Sequence, residues 1–363
     1  MYLLYFFLRT HYACWRRHKS FRVTDFYKGW DLYRSYHGAD KKGIMQVIRE
    51  INRLAKYWKS YPDSYFMYGM FLKDFVGFDR MASFIPQSAY GRYARNRNPY
   101  YEILINDKIL FHDIISTYGL PSTKRYFSYS TQSFKRNQQI ITDSEVDDIL
   151  SCLTDNKLFV KRNSCGSGSG VSVAYRKEDG FYTKEGNRIT AQYIRQNHFY
   201  EEYFFEKALE QDPQTAQFNP DSINTCRVLT YRNKIVSAAL RMGRKGSFVD
   251  NAAQGGMVVN IDIDTGRLSD FGLREYDATK YYEHPDSHKS FKGVTISQWG
   301  EIQSLVQRAC QLPPLLQLHW IRHRIHRSRS HHIRNQHRCQ RLHFPNGARV
   351  GYCRCIRQKL TYS

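Results

Sequence analysis

Lys161 closes a short apolar run, Leu158-Phe159-Val160-Lys161, and a loop of small residues follows that contains Ser164, Gly166, Ser167, Gly168 and Gly170. Apolar residues resume at Val171 and alternate, so the pattern predicts strand, loop, strand. That excludes two familiar phosphate loops, which both run from a strand into a helix. A glycine-serine loop between strands is a flap. Its backbone N–H groups can close over a polyphosphate because no side chains stand in the way. Lys161 would set a point charge against the same phosphates. On the loop alone, a plain surface hairpin with an incidental lysine accounts for the pattern equally well.

Other residues carry compatible chemistry. Lys108 falls in the first turn of a helix that Asn106 is expected to cap, where the helix dipole gives a cation no help. Such a lysine is either solvated or there to meet an anion. Glu201 and Glu202 sit inside the aromatic run Phe199 to Phe205, which suits the flat walls and acceptors of a purine pocket, or an edge strand with its acids exposed. Arg227 and Arg241 lie on two strands of one hairpin. With a three-residue loop at Asn233-Lys234-Ile235 they face each other directly, an arrangement that only an anion between them makes favourable. A two-residue loop would put them on opposite faces. Asn251, before Gly255-Gly256, allows close backbone approach to a ligand, or simply a turn.

The elements that must position these groups are legible in outline. Residues 1–100 read as a helical layer, with Ile44, Val47, Ile48, Ile51, Leu54, Ala55 and Trp58 at helical spacing. After Lys108, the residues Leu110, Phe111, Ile114, Ile115 and Tyr118 form an apolar stripe, Gly119 is the C-cap and Pro121 the stop. Strands are expected at the flap, at Asn224–Tyr231 with Ile235–Arg241, and at Met257–Asp262. The scattered cysteines before Cys339 contain no CxxC pair, and a reducing, cytoplasmic compartment is expected. The apolar run Tyr2–Leu8 cannot span a bilayer. With the basic residues after it, it suits a peripheral membrane contact, although packing on its own domain is the favoured reading.

Composition breaks at Pro313. Of the 363 residues, the 51 from Pro313 onward hold eleven Lys and Arg, seven histidines and no Asp or Glu. The other 312 carry 44 basic and 33 acidic residues, so half of the formal charge of +22 belongs to the tail.

The motifs, in order, resemble the ATP-grasp superfamily, and more closely the group associated with sugar transfer in bacterial polysaccharide gene clusters. That group's Asn-Pro-x-Ser-x-Asn-Thr-x-Arg is met by Asn219-Pro220-Asp221-Ser222-Ile223-Asn224-Thr225-Cys226-Arg227. Asp250-Asn251-Ala252 with Gly255-Gly256 fits it too. The resemblance implies an α+β fold of two lobes gripping ATP, with the nucleotide-binding lobe at about 101–205 and the second lobe at about 206–312. It implies phosphate contacts for Lys108, Lys161 and the flap, and nucleotide contacts for Glu201 and Glu202. Arg227, Arg241 and Asn251 would hold an acyl phosphate, made from an unidentified carboxylate and passed to an acceptor, which the gene context suggests is saccharide-linked. It also implies Mg²⁺, held by an Asp on one strand and a Glu-x-Asn on the next.

Neither motif follows Glu301, the last acidic residue. Three readings of the tail compete. Its His and Cys spacing fits no zinc pattern. A basic tail would bind nucleic acid or an anionic membrane without sequence preference, the alternative in which the chain is a binding protein and no enzyme. The third reading is that the tail is translated out of frame. Read one base later, the codons for 319–326 can encode Ile-Gly-Tyr-Asp-Ile-Ala-Phe-Thr, and those for 327–338 Asp-Arg-Gly-Pro-Ile-Ile-Phe-Glu-Ile-Asn-Thr-Gly. Both missing motifs return in one frame. The chain as written is then expected to be inactive, and 313–363 to be disordered, leaving Met257–Asp262 short of neighbours.

Overall fold

The structure, a computed structural model, describes residues 23–87, 89–90, 107–163, 170–198, 202–247, 249–275, 277, 279–312, 318–324 and 332–336. The expected flap residues Ser164, Gly166, Ser167 and Gly168, the acid Glu201 and the cap Asn106 lie outside the described residues.

Helices come first. α1 (Val23–Ser35), α2 (Ile44–Trp58) and two short helices, α3 (Ser64–Met67) and α4 (Phe78–Ala82), form the N-terminal layer. Helix α2 buries Val47, Ile48, Ile51, Leu54, Ala55 and Trp58, the expected stripe, while Ile44 is only half-buried. An aromatic cluster of Tyr33, Tyr65, Phe66 and Phe71 receives that stripe. Lys42 is buried beneath it and donates to the carbonyls of Met70 and Phe75 at 2.8 and 2.7 Å and to Glu50 at 2.9 Å. An ammonium with three fixed acceptors can be buried because each proton keeps a partner.

α5 (Lys108–Thr117) follows. Its cap is Asp107, whose carboxylate accepts from the N–H groups of Ile109 and Leu110 at 2.9 Å. Only Phe111 and Ile115 of the stripe are fully buried; Leu110 and Tyr118 are exposed. Gly119 adopts φ +62° after the last turn, as expected of a helix stop.

Seven antiparallel strands make the first sheet: β1 (Arg125–Ser130), β2 (Ser133–Arg136), β3 (Gln139–Ile141), β4 (Lys157–Arg162), β5 (Val171–Lys177), β6 (Gly180–Tyr182) and β7 (Tyr203–Lys207). Their order is β3-β2-β1-β7-β4-β5-β6, so β7 is central and not an edge strand. Helices α6 (Asp143–Cys152) and α7 (Ala191–His198) cover this sheet, supplying Val146, Leu150, Ala191 and Ile194 to its core. The link α8 (Pro213–Ala216) leads to the second sheet.

That sheet contains β8 (Thr225–Tyr231), β9 (Lys234–Met242), β10 (Met257–Ile261), β11 (Leu268–Leu273), β12 (Leu318–Arg324) and β13 (His332–Gln336), in the order β11-β10-β9-β8-β12-β13. Helix α9 (Trp299–Ala309) and α5 pack on one face against Cys226, Val228, Leu240 and Val259. Thr225, Arg227, Leu229, Ala239, Arg241 and Val258 alternate onto the other face.

Three expectations are corrected here. The hairpin of β8 and β9 turns on two residues, Arg232 at φ 48° and Asn233 at φ 61°, both left-handed. A bulge at Val236 then restores the face that a two-residue loop would have lost, so Arg227 and Arg241 share a face. They are diagonal, not opposite: Arg227 pairs with Ala239, and Thr225 with Arg241. Met257–Ile261 keeps both neighbours, β9 and β11. Finally, the tail expected to be disordered contributes β12 and β13, which pair beside β8. The edge of β8 offers a row of backbone donors and acceptors, and pairing with it needs no particular side chains.

No helix among the described residues is long and apolar enough to cross a membrane.

Candidate active site

Lys161 is the penultimate residue of β4 and is buried. Its ammonium forms an ion pair with Glu206 of β7 and lies 5.1 Å from the centre of the Phe159 ring. Glu206, absent from the sequence expectations, is buried too. The signal was an acid within the central strand Tyr203–Lys207, whose other side chains are aromatic but for the terminal lysine. A buried pair of this kind holds both groups in place, and removing either leaves an uncompensated charge.

Asn163, two residues beyond Lys161, knits the base of the flap to α5. Its Oδ1 accepts from the N–H groups of Lys108 and Ile109 at 2.7 and 3.1 Å, and its Nδ2 donates to Glu202 at 2.7 Å. Ser130 donates to the other Glu202 oxygen at 2.6 Å. Hydrogen bonds from Ser130 and Asn163 hold the Glu202 carboxyl below the usual range. The Lys108 ammonium caps the Arg162 carbonyl at 2.6 Å and the Asn163 carbonyl beside it. Gly170 closes the flap with φ +68° and accepts from the Arg162 N–H at 2.8 Å. Lys108, Lys161, Gly170 and Glu202 are thus gathered at one place, while the interior of the flap lies outside the described residues.

Helix α5 joins this place to the second lobe, since its apolar side packs in that lobe's core and beside β13. There Arg227 and Arg241 are each 1% exposed. Arg241 donates through Nη2 to the Asp250 carbonyl at 2.9 Å and to Asn251 Oδ1 at 3.2 Å. The Asp250 carboxylate stands 3.8 Å from the same guanidinium and accepts from the Thr225 hydroxyl. Arg241 and Asn251 are therefore brought together, with Asp250, which the sequence reading placed in the motif but gave no role.

The remaining polar residues of the 219–227 segment fasten the chain. Asn219 donates to Ser222 at 2.9 Å, Ser222 to Asn224 at 2.9 Å, and Asn224 to the Thr215 carbonyl at 2.8 Å. All three are buried. They fix the start of β8, which sets where Arg227 emerges. Ser222 also accepts from the Gly243 N–H at 3.1 Å, and His284 bonds the Gly243 carbonyl at 3.0 Å, fixing the end of β9 beyond Arg241. Burial holds the His284 imidazole below its ordinary pKa. Gly256 serves packing, since a Cβ there would stand 2.8 Å from the Asn251 carbonyl oxygen and 2.9 Å from that of Met242, while Gly255 adopts the left-handed φ of +85°.

Among the described residues no three His, Cys, Asp or Glu side chains form a metal-binding group.

Two antiparallel lobes bridged by a helix, with buried cations on both, define an α+β protein of the ATP-grasp class. A model of the family described as sugar-transfer associated ATP-grasp matches residues 89–320, and the chain belongs to that family. The N-terminal helices α1 to α4 precede the matched region.

No curated protein matches the chain. Among solved structures it is similar to N5-carboxyaminoimidazole synthetase from Staphylococcus aureus complexed with ADP, at 10% identity and TM-score 0.37, over 63% of this chain and 43% of that one. It is similar to D-alanine–D-alanine ligase from Bacillus anthracis at 12% identity and TM-score 0.32, over 63% and 55%. The ATP-grasp ligase PsnB complexed with a minimal precursor matches at 10% and 0.36, over 67% and 54%. The chain therefore spans about half the length of these structures.

Proposed function

We propose that this chain derives from an ATP-dependent ligase-like enzyme of cell-surface polysaccharide assembly. The observation that carries the reading is the gathering of Lys108, Lys161 and Glu202 around the base of a glycine flap, joined through α5 to the lobe bearing Arg227, Arg241 and Asn251.

In that reading the flap N–H groups and Lys161 hold the ATP phosphates, with Lys108 beside them. Glu206 fixes the Lys161 ammonium before nucleotide arrives, so little reorganisation is needed on binding. Glu202 accepts from the nucleoside. A substrate carboxylate oxygen attacks the γ-phosphorus, ADP leaves, and an acyl phosphate forms. Arg227 and Arg241 balance its negative charge, and Asn251 helps hold it. The acceptor nucleophile then attacks the acyl carbon, losing its proton, and phosphate leaves. As written, the chain lacks the metal ligands for this chemistry, and it binds ATP weakly and turns nothing over.

The phosphate role of Lys161 is tested on the chain as it stands. Lys161→Met alone should cost about 3–5 kcal/mol in urea denaturation by stranding Glu206, whereas Lys161→Met with Glu206→Leu should recover most of it. At millimolar ATP the parent should show a rise in melting temperature, since a ligand bound only by the folded state stabilises it. The folded double variant should show none. An equal rise in both would remove Lys161 from the phosphate site.

A further inference from the structure

Two hydroxyls stand on the face of the second sheet that bears the arginines. Arg227 pairs with Ala239 and Leu229 with Ser237, and side chains alternate along β8, so Ser237 and Tyr231 share the face of Arg227. Asn260 joins the row of Arg227 through its own pairing with Ala239, which puts only a methyl group between them. Tyr231 is 9% exposed, and its hydroxyl and that of Ser237 are both buried. Among the described residues neither hydroxyl has a hydrogen-bond partner.

A permanent core rarely leaves such groups unpaired, because each has lost its water and gained nothing in return. Here two occur on one face, within two strand rows of a buried guanidinium. Apolar surface surrounds them. Leu229, Tyr231, Ala239 and Val258 form one small cluster, and the half-buried Tyr90, from the segment before α5, packs against it. The face therefore offers a cation at one place, hydroxyls further along it, and flat apolar walls. A ring with apolar faces, a hydroxylated rim and a carboxylate is complementary to all three.

We infer that this face is the subsite for the carboxylate substrate, and that the substrate is a sugar acid whose carboxylate meets Arg227 and whose ring hydroxyls pair with Tyr231 and Ser237. The inference rests on the proposed function for the part played by the arginines, and goes beyond it in naming the substrate class and two residues that select it. Selection follows from what would be left unpaired. An acid without hydroxyls strands both protein hydroxyls, whereas a sugar acid satisfies them. Entry of the ring requires Tyr90 to shift, since it packs on the same cluster.

The test uses the 363-residue chain without nucleotide and the probes D-glucuronate and cyclohexanecarboxylate, which share ring size and charge and differ in their hydroxyls. Titration calorimetry should show glucuronate binding more tightly by about tenfold or more. Tyr231→Phe and Ser237→Ala should each weaken glucuronate about fivefold and leave cyclohexanecarboxylate unchanged. Neither substitution should lower the urea midpoint of the ligand-free chain, because each deletes a hydroxyl that has no partner to lose. A purely structural role for these hydroxyls predicts the reverse, a lower midpoint with unchanged glucuronate affinity, and that result overturns the inference. Equal affinity for the two probes also overturns it, while leaving the arginines as carboxylate binders. If neither acid binds, the carboxylate reading falls with it; the stabilisation by ATP, which involves none of these side chains, then judges the nucleotide reading separately.

Discussion

Several side chains that bear charge here are held by partners and need those partners to stay charged. Asp286 is the clearest outside the candidate site, accepting from Arg244 Nε and Nη2 at 2.6 and 2.7 Å. The hydrogen bonds from Arg244, with one from the Lys245 N–H, drive its pKa far below the ordinary carboxylate value. A carboxyl with a depressed folded pKa stabilises the fold above its unfolded pKa of about 3.9 and loses that contribution as pH falls toward the folded value. Asp286→Asn should therefore be less stable than the parent by a constant amount from about pH 7 to pH 5, with the gap closing below about pH 4. Urea midpoints across that range measure it, and a gap that widened in acid would contradict the linkage. Glu202 should behave likewise with a smaller excursion, since its pKa is lowered mainly by hydrogen bonds from Ser130 and Asn163.

At the scale of elements, the first sheet and the β8–β9 ribbon turn on pairs of left-handed residues without the usual Asn-Gly. Thr131-Gln132, Asn137-Gln138 and Arg232-Asn233 all have positive φ, between 48° and 68°. Two-residue hairpin loops of this hand match the twist of the strands, and a non-glycine residue there costs about 1–2 kcal/mol. Gln138 is exposed at φ 68°, after an asparagine already suited to its position. Gln138→Gly should stabilise the protein by about 0.5–1 kcal/mol, the relief of strain less the added freedom of the unfolded chain. Chemical denaturation with an unchanged m-value would show it. A loss of stability would mean that the glutamine side chain contributes more than its backbone strain removes.

Across the whole molecule, the tail has two opposite effects. Its strands give the outer edge of β8 a partner, and its composition adds eleven cations with no acid. Ending the chain at Leu312 separates them. The truncated chain should elute from a heparin column at lower salt, because fewer cations release fewer counterions. It should also self-associate at micromolar concentration, because β8 becomes an unpaired edge strand buried on both faces. Analytical ultracentrifugation would detect the second effect. A monodisperse truncated chain would show that β12 is not needed to protect β8.

What the residues alone determined was chemistry carried by local pattern. The strand–loop–strand around Lys161, the helix after Asp107, the stripe of α2 and the break at Pro313 all depend on neighbours within a few positions, where periodicity and turn chemistry act. The order of motifs sufficed to mark the family. Partnership across the fold was not legible. Glu206 became the counter-ion of Lys161 because β7 lies between β1 and β4, a pairing that joins residues far apart in the chain. The Arg227–Arg241 relation was misjudged because a bulge at Val236 adds one residue to β9, and strand faces reverse with every residue. Likewise β12 and β13 were invisible in an arginine- and histidine-rich tail, since backbone pairing at a sheet edge requires an unpaired neighbour more than it requires any side-chain pattern.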